Sequence, residues 1–493
     1  MTTTYFCAYL GSVALSLVVT PIVIRVAHRI KAVDHPTARG MHTSPIPRIG
    51  GAAIFLSATC LLVLALFFSY TVGDAFRSVR LQVVAMLLTA SFIFLVGLID
   101  DLRDLPAKAK LLAELAAAGV LCHVGVRISA LQMTDDLLWQ LGWLSYPFTM
   151  MWIVGITNAV NLSDGLDGLA AGISAVACGA IAVFAVHSGN ALMAVLMLAL
   201  LGSLSGFLFY NFNPAKVFMG DCGSLFVGFT IAASSVMCVT KSSTLVGLAL
   251  PALALGIPIF DTLFAILRRV LERRSIFSPD RGHFHHRLID LGLTQRHAVL
   301  AMYGATCIVT GLGLFMMIRR DVGSLVVFGC LLFLLVMLFH VVGAVRLHDT
   351  LARLQEQYAV MRRQRREKKA FEYLQLRFRQ AGALPDWWQA VCEAAQRFDF
   401  AWVSLSVRNP DGSTDTSVWR GENIPARVSG IITIHLPLTD AATQRPLDFE
   451  MGVMVNESLE SASHRAALFS RLMDEHGFTQ QLQTNPVTPD PHE

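Results

Sequence analysis

Charged residues are scarce in this sequence of 493 residues, where Asp, Glu, Lys and Arg make up 15% of the chain. An ordinary soluble domain contains about 25%. Hydrophobic residues make up 54% and the mean hydropathy is +0.56, so an ordinary soluble enzyme is excluded. The net charge is only +4 and the basic residues cluster in particular loops, which argues against a nucleic-acid-binding surface.

CxxC pairs and the basic residues that open a signal peptide are also missing. The nine cysteines include no CxxC pair, so neither a disulfide framework nor a zinc ribbon is indicated. The N-terminus runs directly into an apolar segment without the basic residues that open a signal peptide. We therefore expect the first apolar segment to stay in the protein as a transmembrane helix.

Long apolar stretches recur over residues 1–345, and about 20 apolar residues suffice to span a bilayer. Dividing them at Pro, Gly and polar residues predicts about eleven transmembrane helices. The predicted spans are 6–27, 50–71, 82–99, 109–126, 144–160, 168–187, 191–209, 223–240, 245–267, 298–318 and 323–345. The fourth is weakened by Glu114 and His123. The fold class is therefore an all-α polytopic membrane protein, followed by a soluble C-terminal α+β domain.

The distribution of Lys and Arg predicts the orientation, because cytoplasmic loops of membrane proteins carry the excess of basic residues. The loops after the first and ninth predicted spans hold most of them. We expect a multi-pass protein of the cytoplasmic (inner) membrane. Its N-terminus should lie outside, and its active site and C-terminal domain in the cytoplasm.

The composition changes abruptly after Val345, where charged residues become frequent. We predict a transmembrane domain over 1–345, a basic helical linker over 346–380, a small cytoplasmic α+β domain over 381–480 and a disordered tail over 481–493. Alternating apolar residues predict strands at 402–407, 431–438 and 449–455, flanked by helices at 387–398 and 461–477. The linker is expected to lie solvated near anionic lipid headgroups, with a partner or ligand site as the alternative.

Two acidic clusters follow predicted spans. Asp100, Asp101 and Asp104 end the third span, where negative charge opposes the helix dipole, and Lys108 and Lys110 follow. Magnesium with a diphosphate would explain acidic residues there, and an ordinary acidic loop is the alternative. In the second cluster two amides and two carboxylates share one helix face near the membrane boundary, where unpaired polar groups are costly. Its members are Asn158, Asn161, Asp164 and Asp167.

Two further polar clusters indicate phosphate binding. Asp221 follows Gly220 and precedes a predicted helix, a position that favours anions and metal-bound phosphates. His283, His285 and His286 lie between Arg281 and Arg287. Three histidines are compatible with zinc, but no cysteine is near and the arginines would repel a cation, so phosphate binding is favoured. Carboxylates, cations and amides together suit phosphoryl transfer, which depends mostly on positioning and charge neutralisation, and in a membrane one substrate is expected to be a lipid.

Five motifs resemble those of the polyprenyl-phosphate N-acetylhexosamine-1-phosphate transferases, which form glycosyltransferase family 4 and include the muramoyl-pentapeptide translocase. They occur in family order within residues 1–345. The motifs are Arg-Ile-Gly-Gly at 48–51, Asp-Asp-Leu-Arg-Asp at 100–104, Asn-Leu-Ser-Asp-Gly-Leu-Asp-Gly at 161–168, Gly-Asp-Cys-Gly-Ser at 220–224 and His-Phe-His-His-Arg at 283–287. The last is more similar to the enzymes that start O-antigen, common-antigen and teichoic-acid linkage chains than to the translocase.

The resemblance implies transfer of HexNAc-1-phosphate, with GlcNAc as the expected sugar, from a UDP-sugar to undecaprenyl phosphate. UMP would be released and a lipid-linked cell-surface polysaccharide, such as that of lipopolysaccharide, would be started. Mg²⁺ is implied as cofactor, with Mn²⁺ as a substitute, and similarity alone implies a homodimer. The C-terminal region departs from the family, which leaves regulation by a partner, scaffolding or dimerisation open as its role.

The resemblance also implies roles for single residues. Asp221 would bind the metal with help from the Asp164 and Asp167 region, and Asp100 or Asp101 would activate the acceptor phosphate. Asn211 and Phe218 would form part of the uracil pocket. The catalytic set is then Asp100, Asp101, Asp164 and Asp167, the metal set is Asp221 and Asp164, and the substrate-binding set is Lys110, Asn158, Asn161, Asn211, Phe218, His283, His285, His286 and Arg287.

Two other functions are compatible with parts of the pattern. An intramembrane prenyltransferase also combines Asp-rich motifs with Mg²⁺ and diphosphate, but it would leave the Asn-rich string and the histidine loop without a role. A transporter is the alternative outside enzymes. Its sites should lie near the bilayer midplane on broken helices with repeat symmetry, whereas the clusters here lie at predicted span ends and no internal repeat is evident.

Overall fold

A computed structural model describes residues 1–34, 45–132, 138–239, 244–271, 275, 283–319, 329–331, 333–334, 336–338, 347–408, 413–421, 430–439, 446–455 and 459–476. The chain divides into two compact units, residues 1–350 and residues 351–493. The first unit is a helical bundle and the second contains a four-stranded sheet.

Apolar helices build the first unit. Their bounds are α1 Thr2–Arg29, α2 Gly51–Phe68, α3 Tyr70–Ser78, α4 Arg80–Arg103, α5 Ala107–His123, α6 Ser145–Ser163, α7 Leu169–His187, α8 Ala191–Asn211, α9 Gly220–Val239, α10 Thr244–Ala254, α11 Gly256–Leu271, α12 Phe284–Asp290 and α13 Gln295–Arg319. Short antiparallel pairs join Val33–Asp34 (β1) to Ile46–Pro47 (β2), and Ala130–Gln132 (β3) to Leu138–Gln140 (β4). Helix α9 lies inside the bundle, since nearly all of its residues are buried.

Seven helices of the described part are long and apolar enough to cross a membrane, which makes the chain a multi-pass membrane protein. They are α1, α2, α4, α7, α8, α9 and α13. The predicted ninth span is two helices, α10 and α11, bent by 77°, and counting this pair as one span gives eight. Pro258 lies in the first turn of α11, where its missing N–H is tolerated at a helix start.

The predicted count of eleven spans is therefore not confirmed. Helices α5 and α6 stand where the fourth and fifth spans were predicted, but they are not among the seven, and α5 has only 17 residues. The predicted eleventh span, 323–345, lies largely outside the described residues. So do Arg273, Arg274 and Arg281 of the loop after the ninth span.

Glycines set the spacing of α2 and α4 against α9. A Cβ on Gly51 would lie 2.1 Å from the backbone nitrogen of Gly223, and one on Gly97 would lie 2.5 Å from the carbonyl oxygen of Asp221. Atoms cannot approach so closely, so both positions require glycine. Backbone contact here brings the start of α2 and the end of α4 against the first turn of α9.

The second unit carries an antiparallel sheet in the order β6-β5-β8-β7. Its elements are the helices Leu347–Gln380, Leu384–Arg397 and Leu459–Glu475 and the strands β5 Phe400–Arg408, β6 Thr414–Arg420, β7 Ile431–Thr439 and β8 Pro446–Met454. Buried aromatic residues join helices to sheet, among them Phe378, Trp387, Phe398, Phe449 and Phe469. The prediction of strands beside helices is met, but it missed β6, whose residues are nearly all exposed.

Candidate active site

Four helix ends meet at one end of the bundle and bring acidic side chains around one lysine. The Lys110 ammonium on α5 donates to Asp100 Oδ2 at the end of α4, at 2.8 Å, and to Asp221 Oδ2 at the start of α9, at 2.6 Å. The three side chains are 22%, 11% and 28% exposed. Such partly buried charge-assisted hydrogen bonds are stronger than neutral ones, so Lys110 holds the two carboxylates together.

Asp101 has a different set of contacts from its neighbour. Its Oδ1 accepts a hydrogen bond from the backbone N–H of Asp221 and its Oδ2 one from that of Cys222, both at 2.9 Å. These N–H groups belong to the first turn of α9, which has no intrahelical partner for them. Asp101 therefore caps α9 and fixes the position of Asp221. Gly220 has a φ of +70° and packs directly against the Asp101 carboxylate, so this turn favours glycine.

The two asparagines of α6 connect neighbouring helices. Asn161 Nδ2 donates to Asp221 Oδ1 at 3.1 Å and to Ser224 Oγ at 2.8 Å. Asn158 Nδ2 donates to Glu114 of α5 and to the Val154 carbonyl, the latter at 2.9 Å. The spacing of three places both amides on one face of α6, with one directed to α9 and the other to α5. The prediction that Asp164 and Asp167 share this helix face is wrong, because α6 ends at Ser163.

Asp164 and Asp167 lie in the loop between α6 and α7. Burial and the negative charges of Asp221 and Asp101 raise the pKa of Asp164 to about 8. Asp167 Oδ2 accepts hydrogen bonds from Asn213 Nδ2 at 3.0 Å and from the Ala215 backbone at 3.1 Å. Asp164 thus belongs to the acidic centre, whereas Asp167 orders the loop that leads into α9.

The histidine segment is tied to the bundle by an aspartate of α11. Asp261 Oδ2 lies 3.1 Å from His283 Nδ1, and Asp261 Oδ1 accepts from the backbone N–H of Phe284 at 2.9 Å. His285 is 3% exposed, and its ring is tilted against that of His286 at 4.4 Å. Burial, with the neighbouring histidine charges, lowers the pKa of His285 to about 4, so this imidazole is neutral at pH 7.

The histidine segment also reaches the second cluster. A Cβ on Gly165 would lie 3.1 Å from His285 Nε2, so the two loops are in contact. The guanidinium of Arg287 lies 3.8 Å from Asp290 Oδ2, three residues further along the chain. Arg281, which the sequence grouped with these residues, lies outside the described residues.

Asn211 and Phe218, which the sequence predicts in the uracil pocket, make hydrogen bonds with the backbone around the loop before α9. Phe218 N–H donates to the Pro47 carbonyl at 2.8 Å, and the Phe218 carbonyl accepts from Gly50 N–H at 3.0 Å. Asn211 is 2% exposed and donates from Nδ2 to the Val217 carbonyl at 2.8 Å. Asn211 therefore stabilises the loop before α9, and the Arg-Ile-Gly-Gly motif holds the same loop from its other side.

The donor atoms suit a hard divalent cation. No three side chains of His, Cys, Asp or Glu in the described part of the chain form a closed metal site. Mg²⁺ does not require one, because one or two carboxylates with substrate phosphates and water commonly hold it. Asp221 and Asp164 offer carboxyl oxygens, and a bound cation would favour the ionised form of Asp164, whose pKa is raised by burial and by the charge of Asp221.

Sequence reasoning missed two buried carboxylates of the site. Glu114 is 1% exposed and Asp261 is 7% exposed. In the sequence Glu114 only weakens a predicted span, and Asp261 is not among the predicted site residues. Both stand in apolar helices, where an ionisable residue is costly. That cost is the signal that could have identified them.

The sequence of this chain is similar to those of known proteins. Residues 83–239 match the model of Glycosyl transferase family 4. The chain is 42% identical over 299 residues to a probable undecaprenyl-phosphate N-acetylglucosaminyl 1-phosphate transferase of Bacillus subtilis, covering 60% of this chain and 80% of the relative. It is 37% identical to a decaprenyl-phosphate N-acetylglucosaminephosphotransferase of Mycobacterium leprae (58% and 76%). A phospho-N-acetylmuramoyl-pentapeptide-transferase of Halalkalibacterium halodurans is 32% identical (56% and 87%).

Proposed function

Because the chain belongs to glycosyl transferase family 4, we propose that it transfers N-acetylglucosamine 1-phosphate from UDP-N-acetylglucosamine to undecaprenyl phosphate. UMP is the second product, and the lipid-linked sugar starts a cell-surface polysaccharide. The observation that carries the proposal is the Lys110 bridge between Asp100 and Asp221 at the meeting point of four helix ends. The family model matches residues 83–239, which include Asp100, Lys110 and Asp221.

In the proposed reaction an oxygen of the lipid phosphate attacks the phosphorus that carries the sugar. A new P–O bond forms the lipid diphosphate, while the bond from that phosphorus to the UMP oxygen breaks and UMP leaves with the electron pair. The lipid phosphate is already an anionic nucleophile, so no covalent aspartyl intermediate is needed.

The charge of each side chain would determine its role in the reaction. Lys110 would bind phosphate oxygens, and Asp100, beside it, would face the acceptor. Asp101 would act by holding the first turn of α9, because both of its oxygens accept backbone hydrogen bonds. Asp221 and Asp164 would hold Mg²⁺, which when bound neutralises charge on the diphosphate.

The donor nucleotide would be held by the surrounding loops. Asn158, Asn161, Asn211 and Phe218 border the centre on one side, and the segment His283–Arg287 meets it through Gly165. We propose that this end of the bundle lies at the cytoplasmic face of the cytoplasmic membrane, where nucleotide sugars are available. A prenyltransferase and a transporter are disfavoured, because the relatives at 42% and 37% identity carry the names of sugar-phosphate transferases.

The test uses the purified full-length protein in detergent with undecaprenyl phosphate, Mg²⁺ and a panel of UDP-sugars. UMP release is measured together with the mass of the lipid product. We expect UMP only when lipid, Mg²⁺ and UDP-GlcNAc are all present, and Asp221→Asn should abolish it. UMP release that does not require the lipid, or no turnover of any donor by protein that binds UDP, would contradict the proposal.

A further inference from the structure

The buried glutamate of α5 lies at the edge of the candidate active site. Glu114 follows Lys110 by four residues, so the two side chains share one face of α5. It is 1% exposed, and Lys110 and Asp221 act on it electrostatically. A buried carboxylate is costly unless it is hydrogen-bonded. Its hydrogen-bond partner is the Nδ2 group of Asn158 on α6.

The chemistry of this pair fixes the direction of the Asn158 amide. Carboxyl and backbone carbonyl oxygens accept hydrogen bonds, whereas an amide has a donating nitrogen and an accepting oxygen. Asn158 Nδ2 also donates to the Val154 carbonyl at 2.9 Å. Two acceptors therefore hold the same nitrogen, and the Asn158 Oδ1 must lie on the opposite side of the amide group.

The second asparagine of α6 is engaged differently. Asn161 directs its Nδ2 to Asp221 and Ser224 inside the acidic centre. Asn158, one turn earlier on the same face of α6, has its nitrogen held by α5. Its carbonyl oxygen is therefore the part of the side chain that can serve a ligand.

We propose that Glu114 is a positioning residue that keeps the Asn158 carbonyl oxygen oriented to accept a hydrogen bond from the donor nucleotide sugar. A carbonyl oxygen repels phosphate, so the group it recognises is a neutral N–H or O–H of the base or sugar. This inference rests on the proposed function for the identity of the ligand. It adds a residue and a recognition chemistry to that function.

Glu114→Met and Glu114→Gln separate orientation from packing. Methionine fills the space but accepts no strong hydrogen bond, whereas glutamine keeps an acceptor oxygen and serves as the matched control. We expect Glu114→Met to raise the KM for the UDP-sugar about three- to tenfold, the loss of a typical hydrogen bond. The KM for the lipid phosphate, kcat and Tm should stay near the wild-type values, and Glu114→Gln should resemble wild type.

A second pair of variants tests the same contact with the polarity reversed. Asn158→Asp places two carboxylates against each other and should lower kcat/KM strongly. In the double variant Asn158→Asp with Glu114→Gln, the glutamine can donate to the aspartate, so kcat/KM should recover at least about tenfold relative to Asn158→Asp, as expected for a restored charge-assisted hydrogen bond.

Three results would overturn the inference. The first is an unchanged KM for the donor in Glu114→Met, and the second is equal loss in Glu114→Met and Glu114→Gln, which would assign the effect to charge. The third is a lower Tm with a lower kcat and unchanged KM, which would make Glu114 a packing residue. If wild-type protein turns over no donor, the proposed function fails separately, and calorimetric binding of UDP to the same variants still tests Glu114.

Discussion

Replacing Lys110 by methionine removes the only cation that bridges two carboxylates of the described site. Its Nζ lies 2.8 Å from Asp100 Oδ2 and 2.6 Å from Asp221 Oδ2. A hydrogen bond to a charged group contributes about 1.5–3 kcal/mol. The side chains are 22%, 11% and 28% exposed, so solvent weakens both contacts. We therefore expect Lys110→Met to lower the free energy of unfolding by about 2–4 kcal/mol.

The variant should also respond to magnesium more than wild type does. Without Lys110 the carboxylates of Asp100 and Asp221 repel each other, and a divalent cation can take the place of the ammonium. Thermal unfolding of the purified protein in detergent, repeated over a series of Mg²⁺ concentrations, should show a larger rise in Tm for Lys110→Met. Turnover should stay at least about a hundredfold below wild type at every Mg²⁺ concentration, because the proposed phosphate ligand is lost.

Lys108→Met is the matched control, since Lys108 lies on the same helix with its side chain exposed. It should leave the Tm and turnover near wild type. If Lys110→Met unfolded at the wild-type temperature and kept wild-type turnover, the bridge would have no energetic or functional role. If Mg²⁺ shifted the Tm of both proteins equally, the cation would bind away from these carboxylates.

Three other predictions follow from single contacts. Gly51→Ala should prevent stable folding because its Cβ would lie 2.1 Å from Gly223 N, whereas Gly155→Ala, which meets nothing within 4 Å, should express and unfold like wild type. Asp261→Asn should raise the KM for the UDP-sugar severalfold by loosening His283 and Phe284, and an unchanged KM would separate the histidine segment from donor binding. Burial lowers the pKa of His285 from 6.5 to about 4, so on acidification the unfolded chain takes up a proton at a higher pH than the folded protein does. The free energy of unfolding should therefore fall by up to about 3 kcal/mol as the pH drops from 6.5 to 4. His285→Asn should flatten that part of the plot of Tm against pH, and an unaltered slope would disprove the assignment.

The motifs of the site were predictable because each places polar residues where a membrane helix should end. The charges of Asp100 and Asp221 interrupt apolar runs, and the structure joins them through Lys110. Their division of labour was not predictable. Only the fold shows that Asp101 accepts two backbone hydrogen bonds from α9 while its neighbour Asp100 contacts the lysine.

The departures from prediction have local causes. Hydropathy does not report the direction of a helix, so the single span predicted over 245–267 missed a bend. The two apolar helices there meet at 77° next to Pro258. Strand β6 was missed because its sequence, Thr-Asp-Thr-Ser-Val-Trp-Arg, is polar and lies at the edge of the sheet. An edge strand has one neighbour and little burial, so the alternation of apolar residues that marks inner strands is weak there.

The charges of the centre also constrain the order of binding. Asp101 is satisfied by backbone N–H groups, whereas the carboxylates of Asp100 and Asp221 share the ammonium of Lys110. Such a centre repels a diphosphate. Burial, and after it the negative charges of Asp221 and Asp101, raises the pKa of Asp164 to about 8. A divalent cation that binds before the nucleotide sugar, or together with it, removes the excess of negative charge. We therefore expect the cation to be a condition for donor binding as well as for the chemical step.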